Sequence, residues 1–189
     1  MSKRASAGLA AVALVVVCLA SAPARARQRV PLCEVPIERG LQATVGTNVG
    51  HATIRVVESE GGSERWEGYV GWGLSASVWW QDRKGGVGVG YCRTDLINIR
   101  TANFGWRKYG YFLEAHEPVR RGYQGFGGIG WTEGRLGNER MHYPWSLAGR
   151  VGVRVWEETA DPHGIPVAEA VALADDQGVI VSIGVGLRF

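Results

Sequence analysis

The chain has 189 residues, 46% of them hydrophobic and 21% charged, with 28 glycines, 8 tryptophans and 3 cysteines; 21 Lys and Arg stand against 18 Asp and Glu. The surplus of +3 is carried by Lys3, Arg4 and Arg25, near which no acid stands, so the rest of the chain is formally neutral. That balance excludes a basic surface for nucleic acid as the organising feature, and no basic patch with interleaved aromatics points one way.

Residues 1–26 read as a secretory signal peptide. Lys3 and Arg4 precede a small and apolar core from Ala7 to Ala22, and Ala24-Arg25-Ala26 is an A-x-A-type cleavage site. Cys18 follows Val17, where a lipid-anchored cysteine would want a small residue. About 160 residues remain, enough for one domain. No other stretch has the run of apolar residues that a membrane helix needs. Two cysteines remain after the leader, Cys33 and Cys92, and an oxidising compartment permits them to pair. Residues 27–38, with Pro31 and Pro36 and no clear period, read as an extended periplasmic lead-in, and residues 39–189 as the folded part.

From there the chain alternates. Leu41, Ala43, Val45, Thr47 and Val49 share one parity, and Ala52, Ile54 and Val56 take the other. The switch fits a turn near Asn48-Val49-Gly50, or a bulge in one long strand. Residues 65–81 form the clearest internal strand. Val70, Trp72, Leu74, Ala76, Val78 and Trp80 share one face, and Glu67, Tyr69, Gly71, Gly73, Ser75 and Ser77 the other. A soluble barrel would point its large apolar side chains inward, and here the second face is small or polar. Trp66 near one end, with Trp79 and Trp80 near the other, has the spacing of two aromatic girdles at membrane interfaces.

After the turn at 82–86, Val87, Val89 and Tyr91 alternate with Gly88, Gly90 and Cys92. The pattern slips at Arg93 to Asp95, which suggests a bulge or a rim. Tyr109, Tyr111, Leu113 and Ala115 oppose Gly110, Phe112, Glu114 and His116. Residues 123–132 are Gly-rich and a strand only by context. Leu147, Gly149, Val151, Val153 and Val155 oppose Ala148, Arg150, Gly152, Arg154 and Trp156. The segment 157–177 reads as the longest connection, with Val167 to Ala174 a short helix or an extra strand.

Val179, Val181, Ile183, Val185, Leu187 and Phe189 then form a wholly apolar row opposite Ile180, Ser182, Gly184, Gly186 and Arg188. This run resembles the terminal strand of bacterial outer-membrane β-barrel proteins, which end in Phe. The resemblance implies that Phe189 is an assembly signal read by the barrel-assembly machinery. It also implies a Gram-negative envelope protein in the cell outer membrane, surrounded by outer-membrane lipid and lipopolysaccharide. The fold expected is all-β: an up-and-down antiparallel transmembrane β-barrel of about eight strands. Only a closed barrel satisfies strand backbone in lipid.

Inward parity places Glu67, Glu114, His116, Arg150, Arg154 and Arg188 in the lumen, as a structural plug of paired charges or as a selectivity lining. An eight-strand lumen is mostly side chains, which favours a plugged barrel over an open, porin-like channel. The function expected is a structural or surface-interaction role, or a narrow, largely plugged channel. The alternatives are a barrel enzyme acting on lipid A or phospholipid, and a soluble lipocalin-like ligand-binding barrel. The enzyme needs a Ser/His arrangement at the rim. His116 lies two residues from Glu114, and His142 four before Ser146. Neither matches the His-x-Ser-type motif of the barrel lipid A deacylases, so no catalytic residue is assigned. His51, His116, His142 and His163 are scattered without ligand spacing, and the Gly-x-Gly runs lie inside strands, so neither a metal nor a nucleotide cofactor is expected.

Overall fold

The computed structural model describes residues 39–57, 64–100, 104–119, 122–136, 142–156 and 164–189. The leader, the lead-in, Cys33 and His163 lie outside them. Eight strands follow one another: β1 (Gly40–Val57), β2 (Glu64–Gln81), β3 (Gly86–Asn98), β4 (Phe104–His116), β5 (Tyr123–Leu136), β6 (His142–Trp156), β7 (Ile165–Asp175) and β8 (Gly178–Arg188). Each pairs antiparallel with the next, and β8 returns to β1 to close the barrel. At that seam the ladder runs from Thr44 opposite Arg188 to Ile54 opposite Gly178. Phe189 extends it, exchanging both backbone hydrogen bonds with Ala43 at 2.9 and 3.0 Å.

The parity switch in the first segment is neither a turn nor a bulge. β1 is one strand of 18 residues, in unbroken register with β2 from Gly40 opposite Gln81 to Val57 opposite Glu64. What changes along it is the filling of the interior. Thr44 turns inward near the end that holds Gly40 and Phe189, which we call the near end. Ala52 and Ile54 turn inward near the opposite, far end and are buried there. The far interior is therefore apolar, and the apolar row passes from the outer to the inner face.

Two more expectations change. Residues 165–175 are strand β7, with Val167, Glu169, Val171 and Leu173 on the inner parity and four alanines outside. Arg93 to Asp95 carry no irregularity. The ladder runs through them and shifts only between Leu96 and Ile97, with a second shift between Thr132 and Gly134. Arg93 and Asp95 face outward with Val87, Val89 and Tyr91.

Turn chemistry is legible at both ends. Asp82 Oδ1 accepts hydrogen bonds from the amides of Lys84 (2.6 Å) and Gly85 (3.0 Å), and Gly85 has φ +141°, which disfavours a side chain there. Asp175 does the same for Gln177 (3.0 Å) and Gly178 (3.1 Å) between β7 and β8.

The outer face is apolar over the middle of the wall. Val45, Val49, Leu74, Val89, Leu113, Ile129, Leu147, Ile183 and Val185 are all exposed, Ile183 by 65%. Trp66 and Trp80 both face out on β2, fourteen residues apart along a tilted strand, roughly 30 Å of barrel height. Trp79 does not belong to that girdle. Adjacent strand residues face opposite ways, and Trp79 is turned into the lumen and 1% exposed.

Candidate functional site: a charged plug beneath an apolar cap

The interior is filled in layers. Across the middle lie two arginines from β6 and two glutamates from β4 and β7. Arg150 Nη1 donates to Glu114 Oε1 at 2.9 Å, and its Nη2 to Glu169 Oε1 at 3.4 Å. Arg154 Nε donates to Glu169 Oε2 at 2.7 Å and its Nη2 to Ser77 Oγ at 2.9 Å. Ser75 Oγ adds a 3.4 Å bond to Glu169. Both guanidiniums lie over aromatic faces: Arg154 over Phe126 (4.1 Å) and Trp79 (5.0 Å), Arg150 over Phe126 (5.1 Å) and Phe112 (5.7 Å). The charges sum to zero within one layer, which is what a low-dielectric interior requires. Glycine makes the room. A Cβ on the inward Gly90 would collide with the Glu114 carboxylate and approach Arg150.

His116 sits at the near edge of this layer, stacked on Trp79 with ring centroids 4.5 Å apart. Its Nε2 faces Glu114 Oε2 at 3.3 Å and its Nδ1 faces Arg154 Nη1 at 3.4 Å. Both ring nitrogens are thus turned to charged groups rather than to a serine hydroxyl. Below, Gln81 Oε1 accepts from Trp79 Nε1 (3.0 Å) and Gln124 Nε2 (2.8 Å). Arg188 reaches Gln42 Oε1 at 3.1 Å and lies over Trp156 at 4.3 Å, separate from the four-charge layer.

Above the charged layer, Lys108 pairs with Asp175, to which Thr132 also donates. Around this pair, in the far half of the interior, Ala52, Ile54, Tyr69, Leu96, Trp106, Ala148, Leu173 and Ile180 pack into an apolar cap. Glu67 lies at the far rim, accepting from Tyr69 Oη (2.8 Å) and Asn98 Nδ2 (2.7 Å) and pairing with Arg65 (2.7 Å).

Of the six charged residues assigned to the lumen, Glu114, His116, Arg150 and Arg154 come together, while Glu67 and Arg188 sit at opposite ends. Glu169, Lys108 and Asp175 complete the pairing and were missed. Glu169 and Asp175 lay in the segment read as a connection. The alternation of Val167, Glu169, Val171 and Leu173 with alanines was the available signal. Cys92 is on the inner parity, packed against the apolar cap, and forms no disulfide with a described residue; its expected partner Cys33 lies outside the described residues. The side chain of His142 is outside the described ones, and Ser146 is buried on the inner face. His51 is on the outer face of β1. Among the described residues there is no cluster of metal-ligating side chains.

No protein-family model matches the chain, and no curated protein matches it by sequence. Solved structures do. Neisserial surface protein A (NspA) aligns over 79% of this chain and 97% of its own at 12% identity, with a TM-score of 0.55. The outer membrane protein OprG from Pseudomonas aeruginosa aligns over 80% and 97% at 11% identity, with a TM-score of 0.49. Ail, the attachment invasion locus protein of Yersinia pestis, aligns over 78% and 99% at 17% identity, with a TM-score of 0.45. The fold is that of the small eight-stranded outer-membrane barrels: closed, antiparallel and, among the described residues, without helices. At these identities the likeness concerns the fold.

Proposed function

We propose that this chain is an outer-membrane β-barrel whose lumen is permanently filled. Its role is in envelope structure or in contacts at the cell surface, rather than in catalysis or open diffusion. The observation that carries the reading is the buried, self-neutralised layer of Glu114, Arg150, Arg154 and Glu169 beneath an apolar cap. Every charge there faces a partner, whereas a conducting pore presents charges to water. A hydrolase reading needs a hydroxyl bonded to His116, and among the described residues its ring nitrogens face Glu114 and Arg154 instead. A lipocalin-like reading needs the large apolar side chains inside, and Ile183, Val185 and Leu147 are outside. The apolar wall suits a bilayer, and Phe189, at the β8–β1 seam, suits recognition by an assembly machinery.

The test is heat-modifiable gel migration of the mature protein from membrane fractions, with solute uptake into liposomes that carry it. Expected are a folded band that shifts on boiling and no uptake above empty liposomes. Recovery only from the soluble periplasm, or uptake that rises with protein, would overturn the reading.

A further inference from the structure

β7 and β8 are the two shortest strands of the wall, with 11 residues each. The tip of their hairpin, Asp175 to Gly178, also stops short of its neighbours. β6 runs on from Leu147 to His142 past its last pairing with β7, at Ala148 opposite Asp175. β1 runs on from Arg55 to Val57 past its last pairing with β8, at Ile54 opposite Gly178. One further backbone bond, from the Arg55 amide to the Gln177 carbonyl at 2.7 Å, holds the tip on the β1 side. The far rim is therefore notched over this hairpin.

Inside the barrel, a single carboxylate holds the tip. Asp175 Oδ2 takes Lys108 Nζ from β4 and Thr132 Oγ1 from β5, while Oδ1 accepts the amides of Gln177 and Gly178 in its own turn. The Asp175 side chain is completely covered and that of Lys108 is 5% exposed. β5 and β6 stand between β4 and β7 in the wall, so the pair reaches across the lumen. Trp106, Leu173 and Ile180 belong to the apolar cap around it. An ion pair in such surroundings adds little net stability, because both charges give up water, but either charge alone there is strongly unfavourable. Once separated, Asp175 must reach water, and the next residue of its turn, Asp176, is already exposed at the notch. Lower on the same strand, Glu169 stays tied to Arg154 at 2.7 Å and to Arg150 at 3.4 Å. A motion of the tip therefore has a fixed base.

We propose that Asp175 and Lys108 form a latch, and that the β7–β8 tip from Leu173 to Ile180 swings outward as a unit when they part. Opening uncovers Leu173 and Ile180 at the far end and leaves the layer of Glu114, Arg150, Arg154 and Glu169 closed. The device hides or presents an apolar surface; it does not admit solute.

The test is hydrogen exchange, read by mass spectrometry, on the mature barrel refolded in detergent. The proteins are the parent, Lys108→Met, Asp175→Asn and the double variant. Asn keeps an oxygen for the two turn amides, so the charge is lost and the turn acceptor is not. Each single variant leaves one charge without its partner. Residues 173–180 should then exchange at least about tenfold faster than in the parent, with β2 and β3 within about threefold. The double variant has no unpaired charge and should return to within about threefold of the parent. Cys92 on β3 packs against the cap from across the barrel and gives a second readout. In a Cys33→Ser background, N-ethylmaleimide should label it faster in the single variants and not in the double one. Unchanged exchange at 173–180 in Lys108→Met overturns the latch. So does equal acceleration in all eight strands, the mark of a plain loss of stability, and so does a double variant faster than either single one. The parent supplies a check that needs no variant to fold: residues 173–180 should exchange faster than 166–171 of the same hairpin, and equal protection along β7 overturns the latch.

Discussion

Replacing Arg154 by Leu tests the charged layer most directly. The Arg154 side chain is completely buried, holds Glu169 at 2.7 Å and Ser77 at 2.9 Å, and lies over two aromatic rings. Leu removes the cation and leaves Glu169 with only the 3.4 Å contacts from Arg150 and Ser75. Leaving one member of a buried pair without its partner costs about 3–5 kcal/mol. With a urea dependence of about 2 kcal/mol per molar, the unfolding midpoint falls by roughly 2 M. Arg83→Leu, in the exposed turn after β2, should stay within about 0.5 kcal/mol of the parent. The double variant Arg154→Leu, Glu169→Leu removes both charges and should recover much of the loss, because apolar replacements of a buried ion pair are often neutral. The assay is urea unfolding in detergent micelles, followed by tryptophan fluorescence and by gel migration. Matching midpoints for Arg154→Leu and Arg83→Leu would refute the reasoning, and so would a double variant weaker than either single one.

Trp79→Ala should cost about 3–5 kcal/mol, since it empties a lumen site stacked on His116, and Trp80→Ala clearly less; thermal gel-shift midpoints decide it. Ile183→Arg puts a charge on the lipid face and should cost about 2–4 kcal/mol in bilayers, read from refolding yields into vesicles; no cost would place that face away from lipid. Asp175→Ala strips both the buried Lys108 of its partner and the β7–β8 turn of its acceptor, so its loss should exceed that of Asp82→Ala, which disturbs a turn alone. Equal unfolding midpoints for these two would remove the Lys108 pairing from the account.

Much of the wall could be read from parity because lipid and lumen make opposite demands. In β2, β6 and β8, Val, Leu and Ile alternate with Gly, Ser and Arg, so the face meeting each medium is unambiguous. Where that contrast vanishes, reading fails. The lipid side of β7 is a row of alanines, and its lumen side has Val167, Val171 and Leu173, so the larger apolar residues are inside. The pattern then mimics a helix or a loop. In β1 the apolar row changes face because Ala52 and Ile54 join the far cap, which only the tertiary layering reveals. The two errors offset each other in the strand count, one arm too many in β1 and one strand too few at β7. Trp79 was legible: its parity is that of Ser75 and Ser77. The Arg154–Glu169 pairing was not, because it depends on the register between β6 and β7.

The meeting of Ala43 with Phe189 has a consequence for biogenesis. It joins the two strands most distant along the chain, so every earlier hairpin can form while this edge stays open. Bringing such remote segments together is slow, and each unclosed margin is adhesive toward neighbours in the meantime. Shortening β8 by its final few residues should therefore leave a sheet that zips up seven-eighths of the way and then clumps, rather than a slightly weaker cylinder.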